Sequence, residues 1–91
     1  MSDAVTDNTA DHRFELEAGG HVAVAYYTLA NGVITFTHTE VPPALSGQGI
    51  GSRLARGALE QVRARGLKVV PKCPFIAAFM AKNAEFADRL V

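Results

Sequence analysis

The chain has 91 residues, 48% of them hydrophobic, and a formal net charge of zero, which is apolar material for one small domain and too little length for two. Its single cysteine excludes an intrachain disulfide and a multi-cysteine zinc site, and suits a reducing, cytoplasmic setting. There is no long apolar run and no basic-then-apolar leader, so neither a membrane span nor a secretory signal is expected.

Residues 1–11 contain Asp3, Asp7 and Asp11 and no Lys or Arg, and the expectation is a disordered acidic tail ahead of one domain over 12–91. Those 80 remaining positions hold nine basic and six acidic side chains, a surplus that suits an anionic small molecule better than a nucleic-acid track. FELE alternates Phe14 and Leu16 with Glu15 and Glu17, the pattern of a half-buried strand. Gly19-Gly20 and Asn31-Gly32 are two-residue hairpin signals, so VAVAYYTL and VITFTHTEV are predicted as the second and third strands. Strict alternation would place Ile34, Phe36, His38 and Glu40 on one face of the third strand and Thr35, Thr37 and Thr39 on the other. Pro42-Pro43 ends regular pairing.

From Ile50 the period lengthens. Ile50, Leu54, Ala58 and Val62, widened by Leu59, form the apolar stripe of a helix, with Arg53, Arg56, Glu60 and Arg63 pointing elsewhere and Arg56 spaced to meet Glu60. Gly66 marks the stop, and Gly57 in mid-helix predicts a close packing contact. LKVV is a fourth strand, and Pro74 opens a second helix, FIAAFMAKN, before a last helical turn. The fold class is therefore α/β (α+β), a mixed antiparallel and parallel sheet in the order β-β-β-α-β-α, with the fourth strand parallel to the third.

VPPALSGQGIGSRL joins the third strand to the first helix and carries Gly47, Gly49 and Gly51. These glycines can simply permit a tight turn. They can also let backbone N–H groups approach an anion at the positive end of a helix, at the carboxyl end of a parallel strand, where α/β sheets bind ligands. Ser52 occupies the place of the last glycine of a dinucleotide fingerprint, and Gly51-Ser52-Arg53 does not supply the Gly-Lys-Ser/Thr of a P-loop.

The stretch resembles the acetyl-CoA pyrophosphate loop of GNAT acetyltransferases, Q/R-x-x-G-x-G/A, with Gly49 and Gly51 on its glycines and Ser46 where Gln or Arg is usual. Together with HTEVP before it and PKCPF after it, nearly all of residues 12–91 resembles the compact YjdJ-type GNAT-like family. The resemblance implies a truncated GNAT-like acyltransferase fold with acyl-CoA, expected to be acetyl-CoA, as co-substrate and no metal. Val41 would meet the pantetheine arm, while Ser46, Gly47, Gln48, Gly49, Ile50, Gly51 and Ser52 would hold the pyrophosphate, with Arg53 in reach of a phosphate. Cys73, followed by Pro74 at a helix start that favours a thiolate, would lie at the thioester and either take the acyl group or line the pocket.

His38 and Glu40 are the candidate base and its neighbouring carboxylate, because a lysine-like amine must lose a proton before it attacks. Their ordinary readings are a partly buried, backbone-bonded histidine and a rim carboxylate. Many GNAT enzymes protonate the departing thiolate with a tyrosine on a later helix, where this chain has Phe79 and Phe86, and Tyr26 and Tyr27 are on another strand. Lys72 and Lys82 are expected to be surface charges, and Phe75, Phe79 and Met80 to pack on the sheet. Three functions remain open: an N-acyltransferase with an unknown amine acceptor, a CoA-binding module with little catalysis, and a cysteine-based redox or acylation sensor. A monomer is expected, with neither nucleic acid nor membrane as partner.

Overall fold

Alternation in FELE and the β-branched run VITFTHTE both resolve into strands, joined by the expected glycine turns. In the computed structural model, which describes residues 5–91, β1 is Thr6–Asn8, β2 Arg13–Ala18, β3 His21–Ala30 and β4 Val33–Glu40, each antiparallel to the next. Asn31 and Gly32 both take positive φ, as the two-residue turn between β3 and β4 requires. Helix α1, Ile50–Ala64, crosses to β5, Lys68–Pro71, which runs parallel to β4. Helix α2, Pro74–Lys82, follows, and a 3₁₀ segment over Ala84–Arg89 closes the chain. The sheet order is β1-β2-β3-β4-β5, the expected mixed sheet with one more strand at its edge.

One hydrophobic cluster holds the layers together. Phe14, Leu16, Ala25, Tyr27, Ile34, Phe36 and Val69 of the sheet meet Ile50, Leu54, Leu59 and Val62 of α1 and Ile76 and Met80 of α2, with Phe86 beneath the C-terminal turn. All are buried. Since α1 and α2 bury their apolar stripes into the same cluster, both helices cover one face of the sheet. The opposite face carries the alternate residues, Arg13, Glu15, Val24 and Tyr26 among them, and no described helix lies over it.

The added strand corrects the expectation of a disordered tail. Asp3 lies outside the described residues, but Thr6–Asn8 pair with β2, and Thr9–Asp11 form a 3₁₀ turn capped by the Asn8 side chain. This segment has no core of its own, which is why its composition reads as disordered. Its order is borrowed. The Asp7 carboxylate accepts from the Tyr27 hydroxyl at 2.6 Å and from Arg65 at 2.8 Å, and Gln61 donates to the Val5 carbonyl at 2.6 Å. Val5 fills the space over Gly57, where an added Cβ would overlap its side chain. That is the close contact the mid-helix glycine predicts.

The expected Arg56–Glu60 pair gives way to a longer-range one. Arg56 donates to Glu85 at 2.7 Å and Asn83 at 2.8 Å, and its guanidinium lies over the Phe79 and Phe86 rings at 5.5 and 5.8 Å. An exposed i,i+4 partner offers little against two hydrogen bonds and two aromatic faces. The Arg56 hydrogen bond also holds the Glu85 carboxyl below the usual carboxylate range.

Candidate functional site

Strand β4 changes character halfway along. Phe36 stands opposite Tyr27, yet His38 stands opposite Tyr26, so Thr37 is an extra residue in β4, a bulge. An inserted residue reverses which face each later side chain takes. Ahead of it, Ile34 and Phe36 point into the core. Beyond it, Thr39, opposite the buried Ala25, takes the helix-covered side, and His38 and Glu40 emerge on the open face. The expectation that Ile34, Phe36, His38 and Glu40 share one face is thereby overturned.

On that open face the His38 ring stacks on Tyr26 at 6.3 Å and 14°, and its Nε2 lies 3.0 Å from Glu40 Oε2. Both side chains are more than half exposed. Arg13 extends the array, donating to the Tyr26 hydroxyl at 3.1 Å and to Glu15 at 2.7 Å. The Glu15 carboxyl is held below its usual range by hydrogen bonds from Asn8 and Arg13.

Cys73 occupies the other side. It caps α2, its N–H donates to the Phe36 carbonyl at 2.9 Å, and only 3% of it is exposed. Its Sγ lies 3.2 Å from Thr39 Oγ1. Pro74, at the first position of α2, has no N–H to leave unpaired there. The structure thus brings Cys73 together with Thr39, and leaves His38 and Glu40 on the opposite face. Thr39 is the site residue that strict alternation hides, since no residue in TFTHTE announces a bulge.

β5 pairs with β4 only as far as Phe36–Pro71, while β4 runs on to Glu40. The last four residues of β4 therefore have no strand on that side, and Thr39 there meets Cys73 at the start of α2. Pro43–Leu45 then form a 3₁₀ turn with Leu45 buried beneath it, and the glycine loop follows. Gly47 and Gly49 take φ of +80° and +71°, with open space where a Cβ would stand, whereas a Cβ on Gly51 would come within 2.9 Å of the Phe75 ring. Two of the glycines serve the backbone and the third serves packing.

The N–H groups of Gly47, Gly49, Ile50, Gly51 and Ser52 find no acceptor among the described residues, and no side chain caps α1. Gln48 differs, donating its N–H to Leu45 and its side-chain amide to Ala44, so it is committed to the loop itself. Ile50 is buried apart from the backbone it offers, Ser46 is exposed at the loop's start, and Arg53 is exposed on the first turn of α1. Val41, Ser46, Gly47, Gly49, Ser52 and Phe75 are among the residues lining a cavity of about 240 Å³ here. A second cavity of about 410 Å³, lined by Val22, Thr39, Glu40, Val41, Pro42 and Pro43, meets it at Val41. Among the described residues no three His, Cys, Asp or Glu side chains gather to hold a metal ion.

Set beside known proteins, residues 13–89 match the family model of the GCN5-related N-acetyl-transferases. Protein NATD1 of Bos taurus and of Homo sapiens are each 33% identical to this chain over 67 residues, which is 71% of the chain and 59% of either relative. The chain thus spans about three fifths of the length of these curated relatives. A solution NMR structure of a GCN5-like protein from Staphylococcus aureus superposes with a TM-score of 0.73 at 25% identity, covering 100% of this chain and 91% of that one.

Proposed function

This chain belongs to the GCN5-related N-acetyltransferase family, and from that premise we propose that it is an acyl-CoA-dependent N-acyltransferase with acetyl-CoA as donor. The observation that carries the reading is the set of five backbone N–H groups without acceptors at the start of α1. Buried donors cost energy when they stay unpaired, and exposed ones at a helix start are placed for an anion. A pyrophosphate supplies several acceptor oxygens at once. The helix end adds about 0.3–1 kcal/mol per negative charge.

From that anchor the open edge of β4 offers Val41 and Thr39 backbone groups to an amide-bearing arm. The arm leads toward Thr39 and Cys73, and the proposal sets the thioester beside that pair. His38, oriented by Glu40 and by its stack on Tyr26, stands on the open face and takes the proton of an amine that approaches from that side, across the unpaired end of β4 from the thioester. The amine nitrogen then bonds to the acyl carbon, the carbon–sulfur bond breaks, and the electron pair leaves on the CoA thiolate. A thiolate leaves readily near neutral pH without a strong acid, which accommodates Phe79 and Phe86 in place of a tyrosine. No described helix is long and apolar enough to cross a membrane, and a monomeric, cytoplasmic protein completes the proposal.

Titration with acetyl-CoA tests the donor, and CoA release with a panel of primary amines tests the transfer. Binding plus amine-dependent release is the expected result. No heat and no thermal shift with acetyl-CoA overturns the reading. A CoA-binding module is the second reading, favoured by one observation: the base candidates and Cys73 lie on opposite faces of the sheet. Binding without release across the panel would establish it. The 3% exposure of Cys73 weighs against a redox sensor, and intact mass after incubation with acetyl-CoA, in wild type and Cys73→Ser, decides whether the thiol carries the acyl group.

A further inference from the structure

Helix α2 presents Phe75, Ala78, Phe79 and Lys82 at helical spacing along one stripe, and with Ser52 of α1 they line a shallow groove of about 90 Å³. Ser52 and Phe75 also line the cavity of the glycine loop, so the two spaces adjoin. The tip of the Phe75 ring rests against Gly51, and 41% of the residue is exposed. A partly exposed aromatic ring that meets a glycine at the rim of a cavity can serve as a stacking platform. Lys82 lies two helical turns further on, about 10 Å along the axis, and makes no hydrogen bond or ion pair among the described residues. Arg56 lies over the Phe79 ring and is itself held by Glu85 and Asn83.

The geometry points to this groove as the site of the 3′-phosphoadenosine end of CoA: adenine lies on Phe75, and Lys82 pairs with the 3′-phosphate. This rests on the proposed CoA loop and extends it to residues that the loop motif does not include. The groove is too small to enclose a base, so adenine must lie face-on against the ring. A lysine at the rim acts as a compact cation, suited to a phosphate dianion. Base–aromatic stacking and an exposed ion pair are each modest contributors, so the effects expected are small and separable.

The test compares CoA with 3′-dephospho-CoA by calorimetry at low salt, in wild type, Lys82→Ala and Phe75→Leu. Wild type should bind CoA about fivefold more tightly than dephospho-CoA. Lys82→Ala should bring that ratio to about one by weakening CoA alone, with dephospho-CoA affinity and Tm unchanged. Phe75→Leu should weaken both ligands by about tenfold and leave the ratio intact. Equal binding of the two ligands by wild type, or an unchanged ratio in Lys82→Ala, overturns the groove assignment and leaves the loop standing. If neither ligand binds wild type, the loop proposal falls with it.

Discussion

β1 and the glycine loop both lie against α1, one at each end, and they treat their polar groups in opposite ways. At β1 the carboxylate of Asp7, the carbonyl of Val5 and the amide of Asn8 all have partners within 3.2 Å. At the loop five consecutive or near-consecutive N–H groups have none among the described residues. Two glycines of α1 also admit a side chain, Phe75 over Gly51 at the loop end and Val5 over Gly57 in mid-helix. The difference separates a segment that is finished by folding from one that is finished by a ligand. Stability is concentrated where no chemistry is needed, and unsatisfied donors are kept where an anion can use them.

The contrast can be broken most severely at Asp7. Asp7→Ala leaves the Tyr27 hydroxyl and Arg65 without their shared acceptor, and the side chain is only 7% exposed, so denaturant unfolding should show a loss of about 2–3 kcal/mol. An unchanged midpoint would mean that β1 contributes nothing. The same cluster sets an alkaline limit. Burial, then the hydrogen bond and charge of Asp7, push the Tyr27 hydroxyl up to about 12. The fold therefore favours the neutral phenol. That stabilisation is fully present below pH 10 and disappears as pH rises from about 10 through 12, by about 3 kcal/mol, and Tyr27→Phe should flatten the stability profile over that window.

Next in size is Gly57→Ala. Filling a helix glycine with space around it stabilises by about 1 kcal/mol, but the new Cβ would overlap Val5, so a loss of about 1–2 kcal/mol in chemical unfolding is expected. A gain would show that Val5 is not fixed there. The smallest effect on stability, and the sharpest on function, belongs to Gly49→Ala. Its φ of +71° costs a side chain about 1 kcal/mol, and displacing the loop amides should weaken acetyl-CoA about tenfold in calorimetry. Weakened affinity with β1-dependent stability intact would confirm two independent ends.

The strands, the helices and the loop were legible because each rests on a local pattern: alternation in FELE, Asn31-Gly32, the stripe from Ile50 to Val62, and glycines before a helix. What escaped depends on partners distant in sequence. Asp7 reads as one acidic residue in a polar stretch until Tyr27 and Arg65 are placed around it. Arg56 reads as an i,i+4 partner of Glu60 until the C-terminal turn brings Glu85 and two phenylalanines beneath it. The bulge at Thr37 is set by the register of β3 against β4, and nothing in the composition of TFTHTE encodes it. The place of Cys73 at the start of α2 is therefore legible from Pro74, while its neighbour Thr39 is not, because that contact follows from the bulge.

That one inserted residue makes β4 behave like a message with a frameshift. Upstream the frame is fixed by the hydrophobic core, and a change of parity there would expose Ile34 and Phe36 to water. Downstream the frame is free, because either parity leaves a polar side chain on either face. Were Thr37 drawn into the ladder opposite Tyr26 instead of bulging, His38 would face Ala25 and take the place of Thr39 beside Cys73, without altering a single core residue. The choice of which group stands at the thiol is thus uncoupled from the folding of the sheet that carries it.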